Sequence, residues 1–262
     1  MLWVLAAAVA MFAAYVSLGW VREVQRQPRL RDSWKGLLLA SGTMGAGISS
    51  CVVLALSSEA LPFPLGYPLP RVLILWAAAM LACLPACYLL MRNQGVLATI
   101  GSGMLLAPVA AGVQASWVMA VGFRPGVIWR VEFLIASVVV LTLGMIAALW
   151  ISFSEASRHG RRRRLWRLGG AALLGLSLIA GQEILVAGAG LLAQVGSVYK
   201  DHVPAVLVCL VAGAIVPLAL SVMAVDLKLR RHQRHRRHSS KEAVSSLAPL
   251  AKSSPSSRSG RA

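Results

Sequence analysis

Acidic side chains are scarce in this sequence. Nine Asp and Glu stand against 26 Lys and Arg in 262 residues, for a formal net charge of +17. Charged residues of both signs make up 13% of the chain, against roughly 25% in soluble domains. With 58% hydrophobic residues and a mean hydropathy of +0.71, the chain cannot hide its apolar surface in a soluble globule. Lipid must solvate part of it.

Histidine is also rare. None of the five histidines falls within an apolar run. That argues against an ordinary imidazole-based metal site inside a membrane. The four cysteines, Cys51, Cys83, Cys87 and Cys209, all lie in apolar runs, where thiols act mostly as packing groups, so no disulfide framework is expected. No Lys or Arg precedes Arg22, and a cleaved signal peptide needs such a basic start. No nucleophile–base pair, metal-binding cluster or phosphate-cradling loop appears, so the chain is not expected to be an enzyme.

What is present is a series of long apolar runs, at 2–20, 36–58, 71–91, 95–122, 130–153, 167–193 and 203–226. Each is near the ~20 residues that cross a bilayer core. The fold expected is therefore all-α and integral to the membrane, with seven transmembrane helices. The fourth run carries Gly101, Gly103, Pro108 and Gly112, which predicts a kink or tilt there. The loop Leu61–Pro70 holds four prolines and is expected to be an ordered extended turn, because proline blocks helix.

Charge sets the orientation. Arg22, Arg26, Arg29, Arg31 and Lys35 follow the first run, Arg92 the third, and Arg158 with Arg161–Arg164 and Arg167 the fifth. A basic stretch from Asp226 follows the seventh. The alternate loops hold only Arg71, Arg124, Arg130 and Lys200. The positive-inside rule then places the N-terminus outside and the C-terminus in the cytoplasm. The tail 227–262 is expected to be disordered, because its Ser-, Ala- and Lys-rich sequence cannot bury enough apolar area to fold. Its basic start, with His232, His235 and His238 among arginines, and the basic loops are expected to meet anionic lipid. Nucleic acid is not an expected partner, since no folded reader accompanies the charge.

The second, fourth and sixth runs are rich in small residues, as in Ala40–Val53, Ala107–Met119 and Leu174–Val186. Small residues let helices approach closely in lipid. The odd runs are bulkier. The period of two helices predicts one leading helix followed by three repeated hairpins, with the small-residue helices facing one another.

On these residues the chain resembles the MHYT sensor domain of bacteria. Met44–Ser50 resembles the approach of that family's first repeat. Leu61–Leu73 resembles its proline-bearing loop, Gly126–Glu132 and Ala147–Trp150 the exit of the second repeat, and Leu174–Ile179 the third approach. The likeness runs from Trp34 to Leu192. It implies a six-helix sensor domain at 34–226 behind a leading helix and basic loop at 1–33. It also implies copper at Met-His-Tyr-Thr-Gly-Met motifs near the outer face, where oxygen or another diatomic gas is sensed.

Those motif positions depart from the family. In the first repeat they fall on Cys51, Val52 and Leu56; in the second on Gln114, Ala115 and Met119; in the third on Gly181 and Gln182, with Glu183 beside them. A degenerate motif is expected, with the fold kept and the metal chemistry lost. Cys51 and Met119 are the remaining soft donors suited to copper; otherwise no cofactor is expected. Glu183 reads as the one carboxylate deep in a span and must be neutral or paired, with Gln182 and Gln114 as partners. Glu183, Gln182 and Gln114 therefore form the candidate polar site.

The function expected is an MHYT-like membrane sensor without an attached output domain, signalling through an unidentified partner protein at its basic face. The alternative is a small transporter or permease-like protein. A reporter fused to the C-terminus should be active only in its cytoplasmic form; activity of the extracytoplasmic form contradicts the orientation.

Overall fold

The computed structural model describes residues 2–25, 30–59, 63–93, 95–124, 126–153, 161–190, 196–199 and 202–229, with backbone alone at 30–33 and 161–164. Seven helical stretches among them are long and apolar enough to cross a membrane. The chain is an all-α, multi-pass membrane protein.

The first span is α1 (Leu2–Gln25) and the second lies in α2 (Leu30–Leu56). The third is α3 (Leu69–Ala82) followed by α4 (Leu84–Arg92). The fourth is α5 (Val96–Ala120), the fifth α6 (Val131–Phe153), and the sixth lies in α7 (Arg161–Gly188). The seventh, Ala205–Leu229, opens with α8 (Ala205–Leu210) and a π-helical turn, Val211–Ile215. One compact unit covers Met1–Ser221; a second, Val222–Ala262, is described only over 222–229, which is helical. Residues 230–262, including the three tail histidines, lie outside the described residues, as do Arg26, Arg29, Arg158 and Lys200.

The fourth span, where the glycines and Pro108 predict a kink or tilt, is one continuous helix, and an interruption falls in the third. The helix α5 runs unbroken through Pro108, whereas α3 stops at Cys83 and α4 restarts with Pro85 in its first turn. Proline lacks an N–H and its ring crowds the carbonyl four residues earlier. In α5 Pro108 is exposed, while Ala107, Ala110 and Ala111 beside it are buried. The π-helical turn of the last span had no sequence signal.

The hub of the bundle is α2. It touches α1, α3, α4, α5, α7, α8 and the π-helical turn. The small-residue helices α2, α5 and α7 also touch one another. Glycine sets the close approaches. A Cβ on Gly45 of α2 would lie 2.5 Å from the Met80 backbone nitrogen of α3, and one on Gly103 of α5 would lie 3.1 Å from the backbone of Ile146 on α6. Interhelical hydrogen bonds reinforce these contacts. The Ser17 hydroxyl of α1 donates to Ala40 O of α2 at 2.8 Å, and the Ser137 hydroxyl of α6 to Gly181 O of α7 at 2.8 Å. Such bonds contribute about 0.6–2 kcal/mol each in a membrane.

The leading helix closes the bundle against α7 along one antiparallel seam. Arg167 stacks over Tyr15 at 4.9 Å. A Cβ on Gly175 would meet Met11 at 2.6 Å. Trp3 Nε1 donates to Glu183 Oε1 at 2.8 Å.

The connections after the second, fourth and sixth spans carry the four short strands. β1 (Gly66–Tyr67) pairs with β4 (Val203–Pro204), and β2 (Phe123–Arg124) with β3 (Gly196–Ser197), both antiparallel. Within the proline-rich loop Gly66–Tyr67 is extended as expected, whereas Leu69 and Pro70 already open α3, and Leu61 and Pro62 lie outside the described residues. Gly122, at φ +66°, makes the turn out of α5, and a Cβ there would strike the Tyr199 ring at 2.8 Å. Only glycine occupies that conformation without strain.

Gly45 and Gly42 offer a paired test, because Gly42 has open space around its Cα. Gly45→Ala should destabilise the detergent-solubilised protein by about 1–3 kcal/mol, the usual cost of overpacking. Gly42→Ala should leave the thermal midpoint unchanged or raise it slightly. Equal effects of the two would contradict the α2–α3 approach.

Candidate functional site

The three helices that carry the motif positions bring polar groups into the bundle interior, yet the groups do not assemble as the sequence suggested. Gln114 is fully buried on α5, and its Nε2 donates to Leu178 O of α7 at 2.9 Å. Gln182 is one helical turn beyond Leu178 and is 1% exposed. Neither end of its amide has a hydrogen-bond partner among the described residues, nor does Gln114 Oε1. Other buried groups share that condition among the described residues, including Ser49 and Ser50 on α2, the Trp117 indole N–H on α5 and the Tyr67 hydroxyl of β1. Tyr67 meets the Trp117 ring edge-on, with centroids 5.8 Å apart. Burying such groups without partners costs about 1–3 kcal/mol each, so each of them runs against stability.

Glu183 differs from its sequence reading in two respects. It lies five residues from the end of α7 and is only partly buried, since α7 stops at Gly188 rather than at 193. Its hydrogen-bond partner is Trp3 at the start of α1, not Gln182 or Gln114. The buried carboxylate that the sequence reading missed is Glu23, 3% exposed, beside Arg22 at the other end of α1. The signal was weak, because the apolar run stops at Trp20 while the helix continues to Gln25.

Glu183 acts electrostatically on Glu59, which follows α2. Partial burial, and then the Glu183 carboxylate, push the Glu59 carboxyl above its ordinary value.

The weak metal candidates are not alike in setting. Cys51 is 1% exposed in the core, whereas Met119 is 54% exposed and lines a groove with Arg71. Cys83 and Cys87 are buried on the third span. Among the described residues no three His, Cys, Asp or Glu side chains are grouped to hold a metal. With Val52, Ala115 and Gly181 at other motif positions, this donor set does not fit a copper ion: one buried thiol and an outward-facing thioether supply too few ligands.

A bundle of seven spans with a buried polar junction places the chain among multi-pass membrane proteins. Over 230 residues it is 27% identical to MucR of Pseudomonas aeruginosa, a bifunctional diguanylate cyclase/cyclic di-GMP phosphodiesterase. The match takes in 84% of this chain and 33% of that protein, so the chain spans about one third of the length of its relative. No family model and no solved structure matches.

The Glu59–Glu183 interaction predicts a pH effect of definite sign. A carboxyl whose value is raised by folding holds its proton longer in the native state. Stability from Glu59 is therefore full at low pH and declines as pH rises from its ordinary value of 4.5 through the raised one. Thermal melts of Glu183→Gln against the parent across that range should show a shallower decline. An unchanged or steeper decline would contradict the coupling.

Proposed function

We propose that this chain is an MHYT-like sensor of the bacterial inner membrane whose motif has exchanged metal ligands for hydrogen-bonding amides. The observation that carries the reading is the burial of Gln114 and Gln182, at two of the three motif positions, where α5 meets α7. The likeness to a cyclic di-GMP enzyme over most of the chain supports a role in signalling. In this reading the chain performs no catalysis of its own. A stimulus at the polar junction shifts the packing of α2, α5 and α7, which biases a two-state equilibrium. The change reaches a protein partner at the basic cytoplasmic face. The basic connections and tail hold that face to anionic lipid, at about 1 kcal/mol per basic side chain near the surface.

The reading is tested in the native bacterium by measuring cyclic di-GMP. Deletion of the gene should shift its level, and Gln182→Leu should reproduce the shift while the protein still reaches the membrane. Unchanged levels in both strains contradict a signalling role. Metal analysis addresses the other half. Stoichiometric copper that is lost in Cys51→Ser with Met119→Leu would overturn the exchange of ligands.

A transporter reading draws on the Glu59–Glu183 interaction and the broken third span, features that also suit an ion path. Proteoliposome uptake that disappears in Glu183→Gln would favour it.

A further inference from the structure

The strand-bearing end of the bundle holds a cavity away from the polar junction. It has a volume of ≈ 250 Å³ and opens outward between α3 and α5. Arg71, in the first turn of α3, stands at its mouth; Ile74, Leu75, Ser116, Met119 and Ala120 complete its lining. The lining holds one cation, Arg71, and is otherwise apolar but for Ser116, whose hydroxyl is already donated to Gly112 O at 2.7 Å.

The setting fixes what covers this surface. Leu69, Leu73, Ile74 and Leu81 of α3 are more than half exposed on a helix that spans the membrane, so lipid lies against them. Arg71 sits two residues into that span, at the level where an apolar core gives way to headgroups. Its guanidinium stacks over the Tyr199 ring at 5.0 Å, and no carboxylate pairs with it among the described residues. Stacking leaves the N–H edge of a guanidinium available for hydrogen bonds, and that planar fork matches phosphate oxygens.

We propose that the α3/α5 groove is a binding site for one anionic phospholipid. Its phosphate is held by Arg71, and its glycerol and upper acyl chain lie along Ile74, Leu75 and Met119. Tyr199 positions the guanidinium from the connection between α7 and the last span. A bound lipid therefore bridges the third span to the connection whose strands pair with the other two.

The full-length protein in nanodiscs of equal phosphatidylglycerol and phosphatidylcholine provides the test, with retained lipid read by native mass spectrometry. The parent should retain one phosphatidylglycerol in preference to phosphatidylcholine. Arg71→Gln should lower that preference by roughly fivefold, the factor that one basic side chain contributes near an anionic surface. Met119→Trp keeps the charge but fills the groove, and should lower retention of both lipids. Arg124→Gln removes an exposed cation at the same end, outside the groove, and should change nothing. The proposal is overturned if Arg71→Gln retains phosphatidylglycerol like the parent, if Met119→Trp does so, or if Arg124→Gln loses it equally. Each variant's elution profile in the same nanodiscs identifies any that has misfolded; the other substitution then decides.

Discussion

Lipid offers apolar side chains nothing to escape from, so helices in a membrane do not associate through the hydrophobic effect. Close backbone approach has to do that work, and this bundle depends on it. Gly45 lets α2 lie on α3, Gly103 lets α5 lie on α6, and Gly175 lets α7 lie on α1. Dispersion and interhelical hydrogen bonds are short-ranged, and both become available only at such distances. The helix at the centre, α2, carries small residues along several of its faces.

The same packing creates the polar junction. Once α2, α5 and α7 are drawn together, whatever their facing positions carry is taken out of both water and lipid. Gln114 finds a carbonyl on α7; among the described residues the Gln182 amide and the Ser49, Ser50 and Tyr67 hydroxyls find no partner. A protein selected for stability alone would fill such places with Leu or Val, as core substitution rules favour. Their persistence is the physical reason for assigning a role to this region. The motif positions of the resembled family point to the same region, but with donors too few for a metal. Glu183, at first grouped with them, belongs instead to the α1–α7 seam.

Much of the architecture was legible in the sequence because membrane insertion imposes local rules. Apolar run length gave the seven spans, small-residue content identified the three mutually touching helices, and prolines marked the extended loop at Gly66–Tyr67. Features set by tertiary context were not legible. Pro85 and Pro108 look alike in sequence, and only their neighbours decide that the helix is interrupted at one and continues through the other. The partner of Glu183, on a helix 180 residues away, has no local signature. Glu23 was hidden because hydropathy ends before the helix does. The groove beneath Arg71 needs two spans and a distant tyrosine, a combination with no local signature.

A contact far from anything local is the seam between the first and sixth spans, which joins Tyr15 to Arg167, Met11 to Gly175 and Trp3 to Glu183. It tests the account most directly. With Cys51, Cys83, Cys87 and Cys209 replaced by Ser, cysteines introduced as Trp3→Cys and Glu183→Cys should be joined within one chain by a short bis-maleimide in native membranes, because Trp3 Nε1 lies 2.8 Å from Glu183 Oε1. A linked peptide pair in the digested monomer, read by mass spectrometry, is the predicted result. Free thiols, or cross-linking only between chains, would contradict the close-packed bundle.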